Sequence, residues 1–174
     1  MKTTDTHVYF YGGIFSNWHV CSFRDSHTKL SFDTTERAFM WYKAVTFNDA
    51  NTMVLLETDM HPSSAKKLGR SVKNFDAARW NRDAMSIMIY VNQLKFSQNS
   101  AFKDALLATG NRILVEASPN DTVWGVGLGV EDPLILDEKN WKGTNWLGKA
   151  LMEVRRKLAM EVTPELPTED TAKV

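Results

Sequence analysis

The chain has 174 residues, enough for one domain with a sizeable core, and 43% of them are hydrophobic and 24% charged, ordinary values for a soluble globular protein. Lys plus Arg equals Asp plus Glu at 21 each, so the formal net charge is zero. That argues against a protein held to long nucleic acid mainly by charge, but not against a local basic patch or recognition of one nucleotide.

A single cysteine, Cys21, rules out a disulfide framework within the chain and a zinc site built on Cys pairs. It fits a reducing compartment, so an intracellular, cytoplasmic location is expected. The polar start, "MKTTDTH", does not read as a signal peptide. The longest apolar run, "AMSIMIYV" at 84–91, is far too short to span a bilayer, so no membrane partner is expected.

In chain order, "HVYFYGG" (7–13) reads as a short strand closed by a Gly-Gly turn. Residues 14–23 read as loop or irregular strand, and "KLSF" (29–32) as a second short strand. "DTTERAFMWYKAVTF" is a helix with Asp33 or Thr34 as N-cap, and Asp33 with Glu36 has capping-box spacing. "HPSSAKKLGR" (61–70) starts a helix near Pro62 that Gly69 is expected to end. Residues 75–96 form a long helix. Residues 100–110 form a compact one, with Ser100 as N-cap and Gly110 at the left-handed stop. "RILVEAS" (112–118) is a buried strand, followed by a turn and a Gly-interrupted strand over 119–128. After a loop, "TNWLGKALMEVRRKLAM" is the last helix, starting near Thr144 or Asn145. The reading is one mostly helical α+β domain over 1–160, with a polar, disordered tail over 161–174.

The first helix carries a pattern with chemical content. At about 3.6 residues per turn, Glu36, Phe39, Met40, Lys43 and Phe47 fall on one stripe. Glu36 and Lys43 are roughly 10 Å apart along the axis at ~1.5 Å per residue, too far for a helical ion pair. Both can lean over Phe39 and Met40 toward one bound molecule. Burial among aromatics lowers a lysine pKa and makes a neutral nucleophile available, and it raises a carboxyl pKa, as suits a general acid or base. A plainer arrangement meets the same periodicity: Glu36 in a capping box and Lys43 reaching out to water.

Other segments offer weaker signals. Ser16 and Asn17 in "FSN" present polar groups after a glycine turn, though such groups more often serve the turn itself. Glu116 and Asp121 flank a proline turn at a strand end, where carboxylates are well presented or merely solvated. Trp124 can stack on a flat ring beside Gly125, or simply fill the core. Gly143 and Asn145 mark a helix start that can attract phosphate, without a Walker-type pattern. Gly148 inside that helix costs about 1 kcal/mol relative to Ala, so a ligand or another helix is expected to approach closely there. Arg70, Arg79, Arg82 and Lys95 give scattered positive charge, read most simply as a solvated face. The four His residues have no metal-binding spacing, so no metal or cofactor is expected.

Taken together, these pieces resemble the NADAR family, also called YbiA-like, from about Tyr9 to about Leu158. The matching pieces are "FSN", Glu36 with Lys43, "AKKLGR" (65–70), Trp80, "KFSQN" (95–99), "LLATG" (106–110), "LVEASPNDTVWGVG" (114–127) and "GTNWLGKALMEVR" (143–155). Two departures stand out. Met40 occupies a position that is often Gln in the family, and the family's "FLSN" is "GIFSNW" here.

The resemblance implies an α+β fold and an N-glycosidase acting on nucleotide-like molecules. It makes Lys43 the nucleophile through a Schiff base, Glu36 the acid/base and Asp121 a second carboxylate. Ser16, Asn17, Arg70, Trp80, Glu116, Trp124, Gly125, Gly143, Asn145 and Gly148 are expected around the ligand. In a plainer hydrolysis, Glu36 or Asp121 activates water and Lys43 only stabilises charge. The substrate expected first is ADP-ribosylated guanine, as nucleotide or in DNA or RNA. The alternatives are a ribosylamine phosphate of riboflavin synthesis, or non-catalytic binding of ADP-ribose.

Overall fold

A computed structural model describes residues 1–162. Of the tail expected over 161–174, residues 163–174 lie outside the described residues, and residues 161 and 162 complete the last helix. The described residues form an α+β domain of six α-helices and a few short strands. Strands β1 (Lys2–Thr3), β2 (His7–Phe10) and β5 (Ile113–Glu116) make one sheet in the order β1-β2-β5, and β3 (Phe23–Arg24) with β4 (Ser31–Phe32) makes a two-stranded hairpin.

The central pair, β2 and β5, is parallel, with Val8 opposite Leu114 and Phe10 opposite Glu116. Alternate residues point to opposite faces. Val8, Phe10 and Leu114 therefore enter the main core, while Tyr9 and Val115 pack with Val126, Leu128 and Ile135 on the other face. The helices that connect β2 to β5 supply half of the buried residues of the main core.

Helix α1 (Thr35–Thr46) is capped by Thr34, whose hydroxyl accepts from the Arg37 amide at 3.2 Å. Glu36 is thus the second residue of the helix, not the third, and the expected capping box does not form. Arg37 is fully buried and ties α1 to Asp33, Asp59 and the Leu56 carbonyl. A short helix α2 (Ala50–Leu56), capped by Asp49, is not expected from the sequence. It buries only Thr52 and Leu56, so its apolar pattern is too weak to announce it.

Helix α3 (Pro62–Arg70) runs through Gly69 rather than ending there. A β-carbon on Gly69 would sit 1.8 Å from the Met40 sulfur, so the glycine lets α3 cross α1. The long helix α4 (Ala77–Gln98) is as expected, and Asn99 rather than Ser100 occupies the cap position of α5 (Ser100–Leu107). Gly110 has the left-handed φ of 59° expected of it.

The strand expected after residue 121 does not form. The polar groups of that segment are already committed: Val126 N–H donates to the Glu116 carbonyl, and the Val126 carbonyl accepts from Lys142 and Gly143. Two single-turn 3₁₀ segments (Pro133–Leu136 and Glu138–Asn140) then lead to α6 (Trp146–Val162).

Helix α6 packs directly on β5. A β-carbon on Gly148 would lie 2.0 Å from the Leu114 carbonyl oxygen, so what approaches Gly148 is the strand, not the ligand or second helix expected. Gly148→Ala is expected to cost about 3 kcal/mol or more, because backbone cannot step aside as a side chain can. A urea midpoint equal to that of the wild type would contradict this packing.

Candidate active site

One large cavity, of about 810 Å³, opens between α1, α3, the start of α4, the 11–18 loop and the 116–124 segment. Such a volume lies toward the upper end for small-molecule sites. Among the residues expected around a ligand, Ser16, Asn17, Glu36, Lys43, Arg70, Trp80, Glu116, Asp121 and Trp124 all line it.

Glu36 reaches the cavity because its backbone is used elsewhere. Its N–H donates to the Asn17 carbonyl at 2.9 Å, which ties the "FSN" loop to the first turn of α1. The residue is 6% exposed, and burial raises the pKa of its carboxyl from 4.5 to about 7. Lys66, a hydrogen bond from Trp18 and Arg70 oppose that rise, while Asp121 adds to it.

Glu116 ends β5, and its pKa is pushed up to about 8 by burial first and Asp121 second. Its Oε2 is buried with no hydrogen-bond partner among the described residues. A buried, unpartnered carboxyl oxygen facing a cavity is costly unless a ligand or water completes it. Asp121 is held differently. Its Oδ1 accepts from the amides of Val123 and Trp124 at 2.9 and 2.8 Å, so this carboxylate also shapes the loop that places Trp124.

Lys43 is half-buried. Its Nζ lies 4.5 Å from the Phe75 ring centre and 5.3 Å from that of Trp80. Burial lowers its pKa. No acid pairs with it among the described residues, and the two rings replace water around the amine. Phe39, between Glu36 and Lys43 on the stripe, has ring centres of both Trp80 and Trp124 at 5.1 Å. The cavity thus has a carboxylate end around Glu36, Glu116 and Asp121, and an aromatic end that holds Lys43.

Four residues expected at the ligand stand behind the wall instead. Asn145 is 2% exposed and its side chain bonds the Glu116 amide and the Leu114 carbonyl, which fixes the end of β5. Gly125 and Gly143 are hemmed in by backbone, and Gly148 lies against β5. The start of α6 already has most of its donors engaged. The amides of residues 143 to 147 all donate to carbonyls of the 122–126 segment.

Lys95 also departs from the solvated face expected of it. It is fully buried, its Nζ donates to the Ser16 carbonyl at 2.9 Å, and burial lowers its pKa to about 8. It acts on the "FSN" loop from beneath.

Lys66, Trp18 and Tyr11 line the cavity as well and are not singled out by the sequence. For Lys66 a signal exists, since it stands one helical turn before Arg70. Trp18 and Tyr11 lie in a loop with no periodicity to mark them.

The family model described as "NADAR domain" matches residues 8–159. The chain is 35% identical over 163 residues to an N-glycosidase of Acanthamoeba polyphaga mimivirus, covering 87% of this chain and 96% of that protein. It is 28% identical over 156 residues to a riboflavin biosynthesis protein of Vibrio vulnificus, covering 87% of this chain and 38% of that one. Among solved structures, the NMR structure of the E. coli protein YbiA is similar, with a TM-score of 0.73, 28% identity and coverage of 92% of this chain and 89% of that one.

Proposed function

The chain belongs to the NADAR domain family, and from that premise we propose that it removes ADP-ribose from guanine in DNA or RNA by hydrolysing the N-glycosidic bond. Hydrolysis of N-glycosyl bonds is the activity of the family's N-glycosidases, and this chain is such a hydrolase. The observation that carries the substrate reading is the convergence of Glu36, Lys43 and Asp121 on one cavity that Trp18, Trp80 and Trp124 also line. A guanine joined to ADP-ribose has two flat purines to stack, and a volume of about 810 Å³ accommodates a ligand of that size class.

The proposed chemistry uses the two ends of the cavity. The carboxyl of Glu36, kept protonated up to about pH 7 by burial, gives its proton to the ribose ring oxygen as the ring opens. The neutral amine of Lys43 attacks the anomeric carbon. The bond from that carbon to the guanine nitrogen breaks, and the nitrogen takes up a proton that the lysine gives up. The sugar is left as an imine on Lys43. Water then adds to the carbon of the protonated imine, and the proton it releases returns to the Glu36 carboxylate. The lysine leaves as the amine while the freed sugar becomes the aldehyde and recloses. The net reaction is hydrolysis. In the direct alternative, Glu36 or Asp121 removes a proton from water, and Lys43 stabilises charge.

A second reading keeps the chemistry and takes a ribosylamine phosphate. The similarity to a riboflavin biosynthesis protein favours it, as does a net charge of zero, which provides no electrostatic track for a long polyanion.

The deciding experiment is mass spectrometry of a single-stranded oligonucleotide carrying ADP-ribose on guanine, after incubation with the wild type. The expected result is loss of the ADP-ribose mass and recovery of unmodified guanine. An unchanged oligonucleotide, with turnover of a ribosylamine phosphate, would put the second reading first. Binding of ADP-ribose with no turnover of either substrate would leave a reader of ADP-ribose rather than an enzyme.

A further inference from the structure

We propose that Lys66 and Arg70 of α3 form the subsite for the 5′-phosphoryl group of the substrate's ribose. This rests on the glycosidase reading above and deepens it, since ADP-ribosyl adducts and ribosylamine phosphates both carry a phosphoryl group at that position.

The two residues are four apart in α3, one helical turn, so their side chains leave the same face about 6 Å apart along the axis. Both line the cavity. Neither has an ion-pair or hydrogen-bond partner of its side chain among the described residues. That distinguishes them from Arg37, which is tied to Asp33 and Asp59, from Arg79 beside Asp83, and from Arg156 on Glu153. Lys43 is set against two rings, and Lys95 is spent on the Ser16 carbonyl. Lys66 and Arg70 are therefore the cations of the cavity whose donors are free for an anion.

The position agrees with the chemistry. The charge of Lys66 acts on both Glu36 and Glu116, whereas that of Arg70 acts on Glu36 and more weakly than Lys66 does. The pair thus runs from the carboxylate end outward, with the half-buried Lys66 inside and the exposed Arg70 at the mouth. A phosphoryl group held between them leaves the anomeric carbon, a few bonds further along the sugar, over the carboxyls. Guanidinium and ammonium donors make charge-assisted bonds to phosphate oxygens, and a guanidinium can do so with two parallel donors. Helix α6, the place where the sequence hints at phosphate, has its first amides occupied, so α3 takes that role.

The test is equilibrium binding of ribose 5-phosphate, ADP-ribose and ribose, followed by amide chemical shifts in the wild type and in the doubly substituted Lys66→Met, Arg70→Met protein. Lys66 is half-buried at the cavity and Arg70 is exposed, and unchanged amide shifts away from the cavity establish that the variant folds. The expected result is that the wild type binds ribose 5-phosphate and ADP-ribose at least about tenfold more tightly than ribose, and that the variant loses this preference. Loss for ADP-ribose with no wild-type preference for ribose 5-phosphate would reassign the pair to the second phosphate of the diphosphate and overturn the subsite as stated. Equal binding of ribose and ribose 5-phosphate by the wild type, or an unchanged preference in the variant, would also overturn it. Because no turnover is involved, failure of oligonucleotide hydrolysis leaves this result standing, and loss of phosphate preference leaves hydrolysis standing.

Discussion

Lys43→Ala is expected to lower the rate of glycosidic cleavage by about 10³-fold or more, with the fold intact. The side chain of Lys43 makes no hydrogen bond or ion pair among the described residues. It is half-buried on the last turn of α1, and its ammonium meets only the faces of Phe75 and Trp80. Those rings keep water away from the amine, which lowers its pKa and enriches the neutral form that attacks carbon.

Lys43→Arg separates the two mechanisms, because a guanidinium keeps the positive charge and cannot form the imine. If the imine is an intermediate, Lys43→Arg is as inactive as Lys43→Ala, and borohydride added during turnover fixes the sugar to Lys43 as a stable adduct detectable by peptide mass spectrometry. If Lys43→Arg retains most of the activity and no adduct forms, the lysine only stabilises charge and a carboxylate activates water.

Glu36→Gln is expected to reduce activity by about 10²- to 10³-fold and to stabilise the protein at alkaline pH. The first effect follows from loss of the proton donor. The second follows from the raised pKa of the buried carboxyl. In the unfolded chain a glutamate ionises near pH 4.3, whereas in the folded chain Glu36 holds its proton to about pH 7. Below pH 4 both forms are protonated, and the group has no effect on stability. Between the two values the folded state binds the extra proton, so stability falls as pH rises, and the full penalty is reached above about pH 7.

A tenfold difference in proton affinity between the folded and unfolded states is worth ~1.4 kcal/mol, so Glu36→Gln should gain about 3–4 kcal/mol at pH 8 and little at pH 4. Urea denaturation of both proteins at the two pH values measures this. A gain of equal size at both would show that packing, not ionisation, is responsible. The wild type itself should lose stability between about pH 5 and 8, since Glu116 adds a second penalty of the same sign, reaching to about pH 8.

Much of the site is legible in the residues. The stripe of Glu36, Phe39, Met40 and Lys43 follows from helical periodicity alone, and those residues do line one cavity. The strand that ends at Glu116 and the turn at Asp121 are legible from an apolar run closed by proline. Helix α2 is not, because it buries too little to leave a pattern, and neither is the irregular course of residues 122–128, whose alternation looks like a strand. That segment spends its hydrogen bonds on the start of α6 and on the end of β5, so no neighbouring strand can pair with it.

Asn145 and Gly148 illustrate the same limit from the other side. Their types suggest a ligand, but the contact they serve is β5. Lys95 has the look of a surface residue at the end of a polar-studded helix, and only the folding of the "FSN" loop across it removes it from water.

Most of the elements, their boundaries to within a few residues and the shared face of the acid and the amine are written in the order of residues along the chain. They depend on local geometry, which a run of neighbours specifies. Which carboxyls lose their water, which amides are already spent and which cations keep their donors free is decided only when the chain packs. Solvation and hydrogen-bond partners are set by segments far apart in the sequence, such as Glu36 and Glu116, that meet only when the sheet and helices close around one cavity.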